Sequence, residues 1–81
     1  MPFYCYILKC ADGTYYTGWT VDPERRLRRH NAGNGSRYTR ARLPVKLVYL
    51  EPQADRETAM KRERAIKALS HGQKEALISR R

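Results

Sequence analysis

Acidic side chains are scarce in this chain: eight Asp plus Glu stand against 17 Lys plus Arg, leaving a net charge of +9 on 81 residues. That imbalance argues against a basic partner and makes polyanions, nucleic acid first, the expected ligands. Long apolar runs are absent too. The longest, Phe3 to Leu8, is six residues, far below the roughly 20 that span a bilayer, and no basic start followed by an apolar segment marks an export signal. No membrane partner is expected. Cysteine is limited to Cys5 and Cys10, which fall in one expected strand at opposite parity, point to opposite faces and cannot reach disulfide geometry. Reduced thiols fit a cytoplasmic location. The two Cys and two His lack C-x2-C or H-x3-H spacing, which argues against a zinc finger. Repeats and linkers are also lacking, so one domain is expected over residues 1–81.

What is there begins with Phe3-Tyr4-Cys5-Tyr6-Ile7-Leu8-Lys9-Cys10, rich in aromatic and β-branched residues, which reads as a strand. After Ala11-Asp12-Gly13, the segment Thr14 to Trp19 reads as its return. A two-residue Asp12-Gly13 loop would put Tyr6 and Tyr16 on opposite faces, whereas a three-residue loop with Gly13 in the left-handed region puts them on the same face. The three-residue loop is the expectation. Tyr6 then opposes Gly18 and lies diagonal to Tyr16, with open space expected above Tyr6 where Gly18 has no side chain.

Asp22-Pro23-Glu24 is a helix start, and the helix is expected to run to about Asn31. Asn31 to Thr39 reads as a polar loop of nine residues. Val45 to Leu50 reads as a third strand closed by Pro52. Asp55 caps a second helix through Ala68 or Leu69, and Ser70 to Gln73 has capping-box spacing for a third, from Gln73 to about Ser79. The expected fold is α+β: β-β-α-β-α-α, with helices packed on a small three-stranded antiparallel sheet.

Three groups of residues could carry chemistry. On the first helix Arg26 and His30 are four apart and share a face, although a solvated basic helix with His30 near its C-terminus explains them equally well. On the second, Glu63 falls between Ala59, Met60 and Ile66 on the apolar face. A carboxylate there needs a cation, hydrogen bonds or a metal, an ion pair with an arginine being the structural alternative. On the hairpin, Tyr6 and Tyr16 lie beside Gly18; most strand tyrosines only pack, but phenols can also exchange protons. These parts suit phosphodiester hydrolysis. Tyr6 would take a proton from water if its pKa is lowered, Arg26 would hold the phosphate, Tyr16 and His30 would assist, and Glu63 would bind Mg2+ (or Mn2+), for which one carboxylate suffices because Mg2+ keeps waters and takes substrate oxygens. Arg25, Arg29, Arg37, Arg40, Arg42 and Lys46 are candidate phosphate contacts, with Tyr38 a candidate for stacking on an unpaired base.

At these residues the chain resembles the GIY-YIG nuclease superfamily, in its small stand-alone bacterial form. Tyr4-Cys5-Tyr6 stands for the first triplet, Tyr16-Thr17-Gly18 for the second, followed by Arg26-x-x-x-His30-Asn31 and by Arg62-Glu63 with Ile66-Lys67. The resemblance implies a single metal held by Glu63, Tyr6 as general base, Arg26 as phosphate clamp, and Tyr16 and His30 supporting proton transfer. There are departures: Tyr4 and Cys5 replace glycine and isoleucine, Thr17 replaces isoleucine, and no Asn follows Asn34, where many members carry one after the metal helix. Members commonly gain specificity from an appended DNA-binding domain; these 81 residues contain none, so specificity is expected from this domain or a protein partner. The expected function is a metal-dependent endonuclease on branched, single-stranded or damaged DNA in repair or recombination, with RNA as the other polyanion. A non-catalytic nucleic-acid-binding module is the alternative.

Overall fold

In the computed structural model, which describes residues 2–80, the unbroken apolar run becomes β1 (Phe3–Lys9), the middle strand of a three-stranded sheet ordered β2-β1-β3. Its neighbours are β2 (Tyr15–Thr20) and β3 (Lys46–Gln53), both antiparallel to it. Strand β1 fails to alternate because both its faces are covered. Cys5 and Ile7 pack with Tyr49 against Ala59 and Ile66 of α3 (Arg56–Lys67), and Leu77 and Ile78 of α4 (His71–Ser79) extend that layer. On the other face Tyr6, Leu8, Cys10 and Val45 form a second cluster, joined by Leu27 of α1 (Pro23–Asn31). The two cysteines therefore lie in different layers, as their parity requires, and both are free. Burial raises both thiol pKa values, that of Cys5 to about 11, and the Cys5 Sγ–H donates to the Ala59 carbonyl at 3.2 Å. They are packing groups, protonated at neutral pH.

The hairpin takes the three-residue loop. Gly13 sits at φ +85°, the Cys10 N–H donates to the Thr14 carbonyl, and Tyr6 pairs with Gly18 and Leu8 with Tyr16. Helix α1 starts as its sequence requires, with Asp22 Oδ1 accepting from the Arg25 N–H and Pro23 in the first turn. Asn31 fastens its far end, since its side chain both donates to and accepts from the Val45 backbone, at 3.0 and 2.8 Å.

Three expectations are corrected. The stretch Asn31 to Thr39 is not all loop: a short helix, α2 (Arg37–Arg40), starts within it, because Ser36 Oγ caps it by accepting from the Thr39 N–H. Strand β3 runs through Pro52 to Gln53; it is an edge strand, where a missing N–H breaks no ladder. Helix α4 starts at His71 rather than Gln73, since in the capping box Ser70 is the N-cap and Gln73 the third helical residue.

Thr17 carries the one buried side-chain polar atom without a hydrogen-bond partner among the described residues. It occupies the place where the resembling family has isoleucine. A buried hydroxyl with no partner costs about 1 kcal/mol or more, so Thr17→Val should raise stability by about 1 kcal/mol, or Tm by about 4–8 °C for a domain of this size. Thermal unfolding followed by circular dichroism measures it, and a fall in Tm would show that the hydroxyl is satisfied.

Candidate active site

Four elements deliver four of the five expected catalytic residues to one cleft of about 570 Å³; the fifth, His30, is buried and does not line it. Tyr6 comes from β1, Tyr16 and Gly18 from β2, Arg26 from α1 and Glu63 from α3. The tyrosines belong to the α1 face of the sheet, whereas α3 packs on the opposite face. The cleft joins the two around the free edge of β2, alongside Gly18. The ring centroids of Tyr6 and Tyr16 are 6.4 Å apart, as the three-residue loop demands.

The space at Gly18 is not open, however. A Cβ built there would stand 2.5 Å from Tyr6 Oη and 2.7 Å from Tyr6 Cζ. The Tyr6 ring itself fills the volume that glycine leaves, which is why a small residue must lie opposite it. Tyr6 is only 3% exposed.

Its phenol meets His30, which is fully buried rather than a solvated residue at a helix end. Tyr6 Oη and His30 Nε2 are 3.0 Å apart, and His30 Nδ1 is 2.8 Å from Thr39 Oγ1. Burial, then the cations of Arg26 and Arg29, push the His30 pKa down, so the imidazole is neutral at pH 7. The condition for Tyr6 to act as a base, a lowered pKa, is not met: burial, then Tyr16, push its pKa up, and the nearby Arg26 offsets only part of this. The resting phenol is protonated. For it to act as a base, its own proton must leave as it accepts another, and His30 Nε2 is the acceptor within reach.

Glu63 is held at the cleft by its helix. The neighbouring Arg62 clamps Glu51 of β3 with two hydrogen bonds, 2.6 and 3.1 Å, and Glu51 also accepts from Tyr49 and Gln53. Burial opposes ionisation of Glu51, but these donors outweigh it and hold its pKa below the usual range. The brace fixes the rotation of α3 and so where Glu63 points. The cation that meets Glu63 is Lys67, one turn on at 3.6 Å, not an arginine. Among the described residues no three Asp, Glu, His or Cys converge as a metal cage. This donor set fits a hydrated, oxygen-seeking ion bound through one carboxylate, and does not fit zinc.

The basic residues separate by place. Arg25 and Arg29 line a shallow depression with Arg26, continuous with the cleft through Thr20 and Val21. Arg37 and Arg40 are exposed on α2. Arg42 is already committed: it pairs with Asp12 at 3.0 Å, donates to the Tyr38 carbonyl at 2.9 Å and lies 3.9 Å from the centre of the Tyr38 ring. Tyr38 also stacks on Tyr16, so its ring is engaged in the free protein. Lys46 lines a separate dimple with Lys9 and Cys10. Sequence reasoning did not single out Phe3, Trp19 and Arg56, which form the far end of the cleft, the Arg56 guanidinium 5.5 Å from the indole. It also missed Thr39 and Ser36, whose only sequence signal is their helix-cap spacing.

The GIY-YIG catalytic domain family matches residues 2–76 of the chain. The chain belongs to the GIY-YIG family. A UPF0213 protein of Halobacterium salinarum is 53% identical over 73 residues, which are 90% of this chain and 95% of that one. A UPF0213 protein of Streptococcus pneumoniae is 51% identical over 94% of this chain and 77% of its own length. The solution NMR structure of a UPF0213 protein from Bacillus halodurans shares the fold with a TM-score of 0.62 at 46% identity, covering 98% of this chain and 84% of that one. The GIY-YIG family consists in general of endonucleases, which makes this chain a domain of nuclease type. Within that family pattern the Cys5 and Thr17 departures fall on side chains packed toward α3, on the opposite face from the tyrosines.

Proposed function

We propose that this chain is a metal-dependent endonuclease that hydrolyses phosphodiester bonds in DNA. The observation that carries the reading is the convergence of Tyr6, Tyr16, Arg26 and Glu63 on one cleft from four elements of the fold. Among the described residues no ion pair or hydrogen bond engages the Arg26 guanidinium, which leaves it available to a phosphate. Mg2+ (or Mn2+) at Glu63 would supply electrostatic stabilisation of the leaving oxygen. Arg26 holds the phosphate and offsets charge on its oxygens as the transition state forms. Water in line with the phosphorus gives a proton to Tyr6 Oη, while Tyr6 passes its own to His30 Nε2 and Tyr16 packs against both rings. Hydroxide attacks, the bond from phosphorus to the 3′-oxygen breaks, and that oxygen takes a proton from solvent.

The far end of the cleft, with Phe3, Trp19 and Arg56, has the aromatic and cationic character that accommodates a base out of its duplex stack. This supports branched, single-stranded or damaged DNA as the substrate, with repair or recombination as the setting. The burial of Tyr6, with its hydroxyl already hydrogen-bonded to His30, favours the second reading, a nucleic-acid-binding module without turnover.

A labelled panel of duplex, single-stranded and branched DNA plus RNA, with Mg2+ or EDTA, separates the two. Cleavage is expected only with metal, and binding without cutting on every substrate would establish the module. Binding should also fall steeply with salt, with a log–log slope of about −4.5 on duplex if about five phosphates are contacted. Trp19, the one tryptophan of the chain, lines the cleft and reports occupancy by fluorescence. A flat salt response would remove the polyanion reading altogether.

A further inference from the structure

The hydrogen bond between Tyr6 and His30 is one link of a longer chain. His30 Nδ1 lies 2.8 Å from Thr39 Oγ1, which lies 2.9 Å from Ser36 Oγ and 3.4 Å from the Ser36 carbonyl oxygen. His30 and Thr39 are fully buried, so solvent does not decide where their protons sit. The ring has little room to turn, because a Cβ at Gly35 would overlap its Nδ1 and Cγ.

Two proton arrangements satisfy this chain. In one, Tyr6 donates to Nε2, Nδ1–H donates to Thr39, and Thr39 donates to Ser36. In the other every donor is reversed, and the Tyr6 hydroxyl proton then needs a different acceptor. Among the described residues the one group hydrogen-bonded to the Tyr6 hydroxyl is His30: Arg26 and Arg29 of α1 are donors, β2 contributes the Tyr16 ring, and Glu63, whose charge also bears on Tyr6, pairs with Lys67, so the reversed arrangement would leave that proton to water in the cleft. A phenol is also the stronger proton donor, and an imidazole nitrogen the stronger acceptor, of that pair.

We propose that Thr39 is a positioning residue, whose hydroxyl accepts the Nδ1–H of His30 and thereby keeps Nε2 free to take the Tyr6 proton. Thr39 does for His30 what a carboxylate does in a hydrolase triad, but as a neutral group. The short helix α2 exists at this point of the chain to hold it, with Ser36 as both its cap and the acceptor for Thr39. In the transfer the Tyr6 O–H bond breaks as an N–H bond forms at Nε2. With water's proton passing to Tyr6 Oη in the same step, the products are hydroxide, a neutral Tyr6 and an imidazolium.

The catalytic half of this inference rests on the nuclease reading; the tautomer does not, and the experiment keeps them apart. Two-bond 15N–1H correlation spectra of the free, 15N-labelled protein are expected to show a protonated Nδ1 and a bare Nε2 at neutral pH. Thr39→Val should move the population toward Nε2–H and lower kcat at least about tenfold with KM unchanged, and Thr39→Ser should restore both. A wild-type spectrum with Nε2–H overturns the proposal, as does a Thr39→Val spectrum identical to wild type. Should Thr39→Val not fold, the wild-type and Thr39→Ser spectra still decide the tautomer. The expected spectra without any cleavage by wild type would overturn the nuclease reading and leave the tautomer assignment standing.

Discussion

Glu63→Gln should slow metal-dependent cleavage at least about 10³-fold while leaving DNA affinity within a few-fold of wild type. The substitution keeps the side chain's shape and removes its charge, so α3, braced through Arg62 and Glu51, stays in place. What is lost is the one acidic ligand lining the cleft. A metal that stabilises a leaving oxygen contributes several kcal/mol, and each 1.36 kcal/mol is about tenfold in rate. On the proposed reading, affinity would come from the arginines and from Trp19 and Phe3, which the substitution does not touch. The rate is read on the best substrate of the panel, and affinity by Trp19 fluorescence in EDTA.

Two results would show that Glu63 holds no metal: cleavage within about threefold of wild type, or an equal loss of cleavage and binding. Lys67 provides the control. It is an exposed lysine that tethers the Glu63 carboxylate across one helical turn, and such surface pairs contribute less than about 1 kcal/mol. Lys67→Ala should therefore leave stability nearly unchanged and the metal concentration needed for half-maximal rate equal or lower. A higher requirement would mean that the lysine orients the carboxylate rather than competes for it.

The parts of this site that the sequence makes legible are those set by local spacing. The loop Ala11-Asp12-Gly13 decides the hairpin register, and the register decides that Tyr6 and Tyr16 share a face. The turn of α3 places Glu63 by the same arithmetic. The parts that were not legible depend on what a residue meets from elsewhere in the chain. His30 lies 24 residues from Tyr6, and nothing in the pattern of α1 distinguishes a buried histidine from one at a solvated helix end. The direction of the Tyr6 pKa follows from that burial, which raises it, so the lowering on which a base role was conditional is not met. Helix α2 is four residues long, too short to show a period, and its one signal is the cap between Ser36 and Thr39. The identity of Arg42's partner is equally hidden, since Asp12, in the hairpin loop, lies 30 residues away along the chain.

Gly18→Ala should both destabilise the domain and disable the site, although it adds a single methyl group. Gly18 is not at positive φ, so an alanine meets no backbone penalty and the effect is steric. Its Cβ would need the position that Tyr6 Oη and Cζ occupy at 2.5 and 2.7 Å. Tyr6 has little freedom to yield, because its hydroxyl is tied to His30 and His30 is itself pressed against Gly35. Overpacking of this kind costs about 1–3 kcal/mol, which is about 4–8 °C in Tm for each kcal/mol in a domain of this size. Displacing Tyr6 by about 1 Å should cost about 10²-fold in rate. Gly72→Ala controls for the glycine itself, since a Cβ there meets nothing within 4 Å and the residue lies in α4; it should be neutral or stabilising by about 0.5–1 kcal/mol. Tyr6→Phe in the Gly18→Ala background separates the two effects. It removes the 2.5 Å contact while the ring carbon remains, so part of the stability returns, but activity stays lost because no hydroxyl faces His30. A Gly18→Ala protein that melts within about 2 °C of wild type would show that the Tyr6 ring has a second resting place, and the proton path from Tyr6 to His30 would then lack the rigidity assigned to it.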